Sequence, residues 1–200
     1  MPLAPFCLTI SAMNQVLKVV LDTSIFVNPD ARCFFGPNPM EAFVEFVKRA
    51  RKYPHSWYMP PSVYAEMIKF MEREPPQEFS LLVEKRPPSS YQGSIPALFF
   101  YEFVEEMRQR MNKGLRVGEK FTRKGLQGGS EEELIKSFRE EYRIALREGV
   151  IDSKEDVDLV LLAKELGAHL ATADQGLVLW AQKLGVPALS AKELDSLIKS

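Results

Sequence analysis

Two hundred residues with 46% hydrophobic content are enough to bury one ordinary core, and they suit a single domain or one domain carrying a sizeable insertion. The formal net charge of -1 gives no global signal for nucleic acid, so any basic surface has to be local and balanced by acids elsewhere. Cys7 and Cys33, without a CxxC pair or a Cys/His cluster, support neither a disulfide framework nor a structural zinc site and point to a reducing cytoplasmic setting, and no apolar run approaches the roughly 20 residues that span a bilayer.

The opening MPLAPFCLTISAM is mildly apolar but lacks a basic n-region, so it does not read as a signal peptide. Residues 1–12 read as a disordered extension, and Met13 is a second candidate start. Val19, Val20 and Leu21 have the aliphatic character of a buried strand that stops at an acid, Asp22. From 25 to 39 the pairs Asn28-Pro29, Gly36-Pro37 and Asn38-Pro39 predict a loop. Pro39 opens a helix whose Phe43, Phe46, Val47 and Ala50 share one face. Residues 56–59 form a brief strand closed by Pro60-Pro61, which lead into a second helix bearing Glu66.

Residues 74–96, broken by several prolines, predict irregular structure with a helical turn or two. Residues 97–113 and 131–148 predict two long helices joined by a glycine-bearing link, 114–129. A βαβα alternation has no need of such a pair, so it is expected to be an arm inserted at 96–149 between the halves of one α/β domain, 13–95 and 150–200. The alternation then resumes. A helix runs to Gly167, a buried strand at 168–172 again stops at an acid, Asp174, and a helix, a short strand at 186–189 and a closing helix follow.

Two short strands thus end in carboxylates, and in a parallel sheet strand ends of one sense lie side by side. Asp156 at a helix start, Asp152 four residues earlier and Glu66 are candidates to join them. Clustered carboxylates repel unless a cation neutralises them, and oxygen ligands without His or Cys suit Mg²⁺ or Mn²⁺, a centre fitted to phosphodiester hydrolysis. Each acid also has an ordinary alternative: Asp22 or Asp156 as a cap, Asp174 as a turn residue, Glu66 as a solvent-facing charge. Asp158 points to another side of its helix and is assigned such a role.

The set VLDTS at 20–24, a Glu in the helix after the second strand, and Asp156 to Asp174 spanning DVDLVLLAKELGAHLATAD resemble a PIN domain nuclease. LDTSIFVNPDAR, the Tyr58-Met59-Pro60-Pro61 entry into the Glu66 helix and the inserted arm are similar to the protein-only ribonuclease P family called HARP, whose members are also labelled RNA ligase partner proteins. That resemblance implies a PIN-like parallel-sheet α/β/α domain with an inserted two-helix arm. It implies a metal-dependent endoribonuclease that removes the 5′ leader of precursor tRNA, with catalytic acids Asp22, Asp152, Asp156 and Asp174, and oligomers assembled through the arms, as dimers building a larger ring or helix. Glu66 matches the broader PIN pattern of metal ligands, and Thr23 and Thr172 lie where they can orient a carboxylate or water. A toxin-like PIN ribonuclease of other specificity and a noncatalytic RNA-binding partner of a ligase are the alternatives; the arm argues against the first and the acid set against the second.

Between Glu106 and Leu126 stand seven basic residues, Arg108, Arg110, Lys113, Arg116, Lys120, Arg123 and Lys124, against two acids. On a protruding loop such a cluster pairs with phosphates without reading sequence, which fits recognition of tRNA by shape. Phe99, Phe100, Phe103, Val104 and Met107 on the first arm helix, and Leu134, Ile135, Phe138, Tyr142 and Leu146 on the second, form apolar stripes with surface left over for a subunit contact.

Overall fold

The computed structural model describes residues 16–71, 74–89, 94–128, 130–147 and 153–199. The N-terminal extension and Asp152 fall outside these residues. The chain divides into two compact units, Met1–Gly93 with Glu155–Ser200, and Ser94–Lys154.

The first unit is built on a five-stranded parallel sheet. Its strands are β1 (Lys18–Leu21), β2 (Ser56–Met59), β3 (Val83–Lys85), β4 (His169–Ala171) and β5 (Ala188–Leu189), in the order β3-β2-β1-β4-β5. Val19, Val20 and Leu21 are wholly buried, as a central strand covered on both faces requires. Val19 pairs with Trp57 on one side and His169 on the other, which fixes β1 between the two halves of the chain. Strand order runs outward from β1 to β3 in one direction and through β4 to β5 in the other. The carboxyl ends of β1 and β4 therefore flank the topological switch point, where open α/β sheets form their binding crevice.

The expected loop at 25–39 is in part helical: α1 (Ser24–Val27) and α2 (Pro29–Arg32) each make one turn. Asn28 and Pro29 read as breakers, yet they start α2, because the Asn28 side chain accepts from the Asp30 amide and proline tolerates the first helical position. The turn of α1 also sends Ile25 and Phe26 into the core. Phe26 there packs against Phe43, Phe46 and Phe79 at centroid distances of 4.3, 5.3 and 5.9 Å, in a cluster that continues to Trp57. Helix α3 (Pro39–Ala50) supplies Phe43 and Phe46 after an Asn38 cap, and α4 (Pro61–Met71) follows β2 as expected.

The irregular stretch at 74–96 holds two regular elements, α5 (Gln77–Leu82) and edge strand β3. Only Val83 of β3 is buried, so three residues with one inward side chain leave no periodicity to read. The second unit is an antiparallel helical pair, α6 (Ala97–Leu126) and α7 (Glu131–Arg147). The sequence placed a link at 114–129, but α6 continues through Gly114 and Gly118 and ends only at the turn through Gln127 and Gly128. Gly114 is a packing position: a Cβ there would stand 2.9 Å from the Tyr142 ring, so glycine lets α7 approach and offsets its poor helix propensity. Phe121 and Phe138 close the pair at 5.6 Å.

The first unit is completed by α8 (Lys154–Leu166), α9 (Gln175–Lys183) and α10 (Ala191–Leu197); the last opens on a Ser190/Glu193 capping box. Asp195 of α10 is buried and accepts from Arg49 of α3 at 2.7 Å, tying the closing helix to the early half of the chain.

Candidate active site

At the switch point the ladder continues one residue past β1, where the Asp22 amide donates to the Ala171 carbonyl at 2.9 Å. This places the Asp22 side chain beside the turn that follows β4. Ser24 Oγ and Thr172 Oγ1 both donate to Asp22 Oδ2, the latter at 2.6 Å. Those hydroxyls are themselves held: the Ala173 amide donates to Ser24 Oγ at 2.9 Å and the Asp174 amide to Thr172 Oγ1 at 3.0 Å. Among the described residues Asp22 Oδ1 accepts only a longer bond, 3.3 Å, from the Ser24 amide.

Burial pushes the Asp22 carboxyl above its ordinary value. The hydrogen bonds from Ser24 and Thr172 counter this, and the nearby Asp174 carboxylate adds repulsion in the same direction as burial. Asp174 is exposed and caps α9, its Oδ1 accepting from the Leu177 amide at 3.0 Å. The turn role and the approach to Asp22 coexist in one residue.

Asp156 lies in the first turn of α8 and is half-buried, and Glu66 is exposed on α4. Asp158 accepts from Ser62 Oγ at 2.5 Å, a bond that joins α8 to the start of α4 and accounts for this carboxylate without a catalytic role. The structure thus brings Asp22 and Asp174 together. Among the described residues no three acids, histidines or cysteines form a ready metal-binding group. The donor set nevertheless fits a hard divalent cation: it is all oxygen, one carboxylate is buried beside a second that repels it, and Asp22 Oδ1 retains acceptor capacity.

Of the expected orienting hydroxyls, Thr172 acts on Asp22, whereas Thr23 is turned inward with its Oγ1 buried and unpartnered among the described residues. Ser24 takes that place instead. The signal was its spacing, since an Asp at the start of a turn accepts hydrogen bonds from the residue two positions on, as Asp22 does from the Ser24 amide and hydroxyl. His55 and His169 serve the fold rather than the acids, and burial lowers both pKa values.

The basic cluster lies on helix α6, not on the expected loop. Arg108 pairs with Glu105 at 2.7 Å and Lys120 with Glu141 at 2.7 Å, while Lys124 stands over the Phe121 ring at 4.7 Å. Arg116 and Arg123 are exposed. Arg110 is a correction: it is buried on the helix stripe it shares with Gly114 and Phe121, so its guanidinium is not presented to a polyanion.

A family model described as PINc domain ribonuclease matches residues 18–200. With a parallel sheet flanked by helices, that match makes the class plain: the fold is that of a PINc domain ribonuclease. A protein of Thermodesulfovibrio yellowstonii named RNA-free ribonuclease P is 52% identical over 179 residues, covering 88% of this chain and 91% of the relative. Proteins of the same name from Pyrococcus furiosus and Alkalilimnicola ehrlichii are 42% and 41% identical, each over 92% of this chain and over 93% and 96% of their own length. The chain belongs to the RNA-free ribonuclease P family.

Proposed function

We propose that this protein removes the 5′ leader of precursor tRNA by metal-dependent phosphodiester hydrolysis in the cytoplasm. The observation that carries the reading is the juxtaposition of Asp22 and Asp174 at the switch point, in a chain whose relatives are named RNA-free ribonuclease P. Asp22, Asp156, Asp174 and Glu66 would hold Mg²⁺ or Mn²⁺, with Asp152 completing the catalytic acids. When bound, the cation supplies activation of water and stabilisation of charge on the leaving oxygen. The chain's own part is to favour the ionised form of Asp22 against the cost of burial, which the two hydroxyl donors do, and to hold Asp174 in place through its capping bond.

The test is incubation of purified protein with precursor tRNA and Mg²⁺, followed by mapping of product ends. Cleavage at the mature 5′ end, leaving 5′-phosphate on the tRNA, is expected. Asp174→Asn should lose turnover while retaining RNA affinity. Cleavage elsewhere, or RNA binding without cleavage under any divalent metal, would overturn the reading.

Helix α6 is proposed to supply RNA contacts through Arg108, Lys113, Arg116, Lys120, Arg123 and Lys124. Arg116→Ala combined with Arg123→Ala should weaken binding and flatten the slope of log affinity against log salt by about 1 for each phosphate left without its cation. Lys120→Ala should do less, because Glu141 already neutralises that ammonium. An unchanged slope would mean that α6 does not touch the RNA backbone. Phe100, Val104, Met107, Met111 and Leu115 run along one exposed side of α6, and Phe100 and Met111 are 68% and 70% exposed. We propose that this seam pairs arms into dimers that assemble further. Met111→Glu should lower the mass measured by light scattering.

A further inference from the structure

The bonds around Asp22 form a closed set. Ser24 Oγ and Thr172 Oγ1 lie 3.3 Å apart, and each is within reach of both Asp22 Oδ2 and one backbone amide of the turn after β4. An amide can only donate and an ionised carboxylate can only accept. Each hydroxyl oxygen therefore receives an amide proton and gives its single proton to Oδ2. No proton is left for the 3.3 Å approach between the hydroxyls, which is a consequence of both pointing at the same oxygen.

This arrangement has two results. Oδ2 is saturated by short bonds while Oδ1 is not, so the carboxylate is fixed in rotation with one oxygen reserved. The same Thr172 hydroxyl that holds Asp22 also holds the Asp174 amide, so the two acids are tied by one atom, although 150 residues separate Thr172 from Asp22.

We propose that Thr172 and Ser24 are positioning residues that clasp Asp22 and set its register against Asp174, presenting Asp22 Oδ1 for a divalent cation. The inference rests on the metal-nuclease reading above and deepens it. Neither hydroxyl is assigned contact with substrate. Their effect passes through Asp22, as carboxylates that bind metal depend on the groups that orient them.

The test uses the full-length protein and Mn²⁺ as probe, with free Mn²⁺ followed by electron paramagnetic resonance beside single-turnover cleavage of precursor tRNA. Thr172→Val should weaken Mn²⁺ binding by about 10- to 100-fold and lower the cleavage rate comparably, with RNA affinity unchanged. Thr172→Ser, which keeps the hydroxyl, should restore both. Ser24→Ala should reproduce the loss, and it carries the test if Thr172→Val does not fold. A lowered melting temperature with unchanged Mn²⁺ affinity would make the hydroxyls merely structural and overturn the proposal, as would failure of Thr172→Ser to rescue. Wild-type protein that takes up no Mn²⁺ and cleaves in chelator would instead strike down the metal-nuclease reading, and the clasp with it.

Discussion

Asp22→Asn is expected to unfold at a higher temperature than the wild-type protein in chelator, and to cleave precursor tRNA at background rate. The first half follows from burial. The folded state holds the Asp22 carboxyl above its ordinary value of 3.8, so above that range the native protein carries a buried charge that the unfolded chain solvates freely. The unfolded state then binds fewer protons than the native one, and wild-type stability falls as pH rises through the window between the unfolded and the raised folded value. Asparagine keeps the shape and removes the charge; its carbonyl oxygen takes the Oδ2 place, and its amide nitrogen the Oδ1 place, where only the longer 3.3 Å bond from the Ser24 amide is lost. Each kcal/mol so relieved should appear as about 2–4 °C for a chain of this size.

Two controls make the result specific. The gap between variant and wild type should close as pH is lowered through the folded value of Asp22. Carboxylates such as Glu45, which Arg49 holds below its ordinary range, behave oppositely and would lower the stability of both proteins together. Added Mn²⁺ should then reverse the order, because a ligand that binds only the native wild type stabilises it by mass action, about 2.7 kcal/mol at a hundredfold excess over Kd. Melting curves across pH, with and without metal, check all three statements. A variant no more stable than wild type at neutral pH in chelator would mean that the hydroxyl bonds already cancel the cost of burial.

The convergence of Asp22 and Asp174 was legible because it depends on features that are local. Asp22 directly follows an aliphatic run and Asp174 stands three residues beyond the end of β4, and parallel strands put like ends together whatever the length of chain between them. The partners of Asp22 were harder to read. Which hydroxyl reaches its carboxylate depends on where helix α1 starts, and here it starts at Ser24. The continuous run of α6 through Gly114 was hidden for a similar reason. A glycine looks like a breaker until the ring of Tyr142, 28 residues on, is known to press against it. Arg110 failed as a surface residue on the same ground, since a count of charges along a helix does not say which stripe faces its neighbour.

Phe26→Ala should be the most damaging single truncation outside the acids. The ring is wholly buried and meets four others, Phe35, Phe43, Phe46 and Phe79, drawn from α3, α5 and the segment after α2. Removing it leaves a cavity lined by rigid rings that cannot collapse, for a loss of about 3–5 kcal/mol and a fall in melting temperature of about 6–20 °C. Phe26→Leu, which refills most of the space, should cost less, and Val44→Ala on the half-exposed side of α3 should cost little. Phe26 also bears on the site, because α1 is one turn long and presents Ser24 to Asp22 at one end while Phe26 anchors it in the core. The expected signature is therefore double. Phe26→Ala should weaken Mn²⁺ binding even at temperatures where circular dichroism shows the protein fully folded, whereas a cavity elsewhere in the core should not. Equal Mn²⁺ affinity in folded Phe26→Ala would separate the aromatic cluster from the clasp and confine its role to stability.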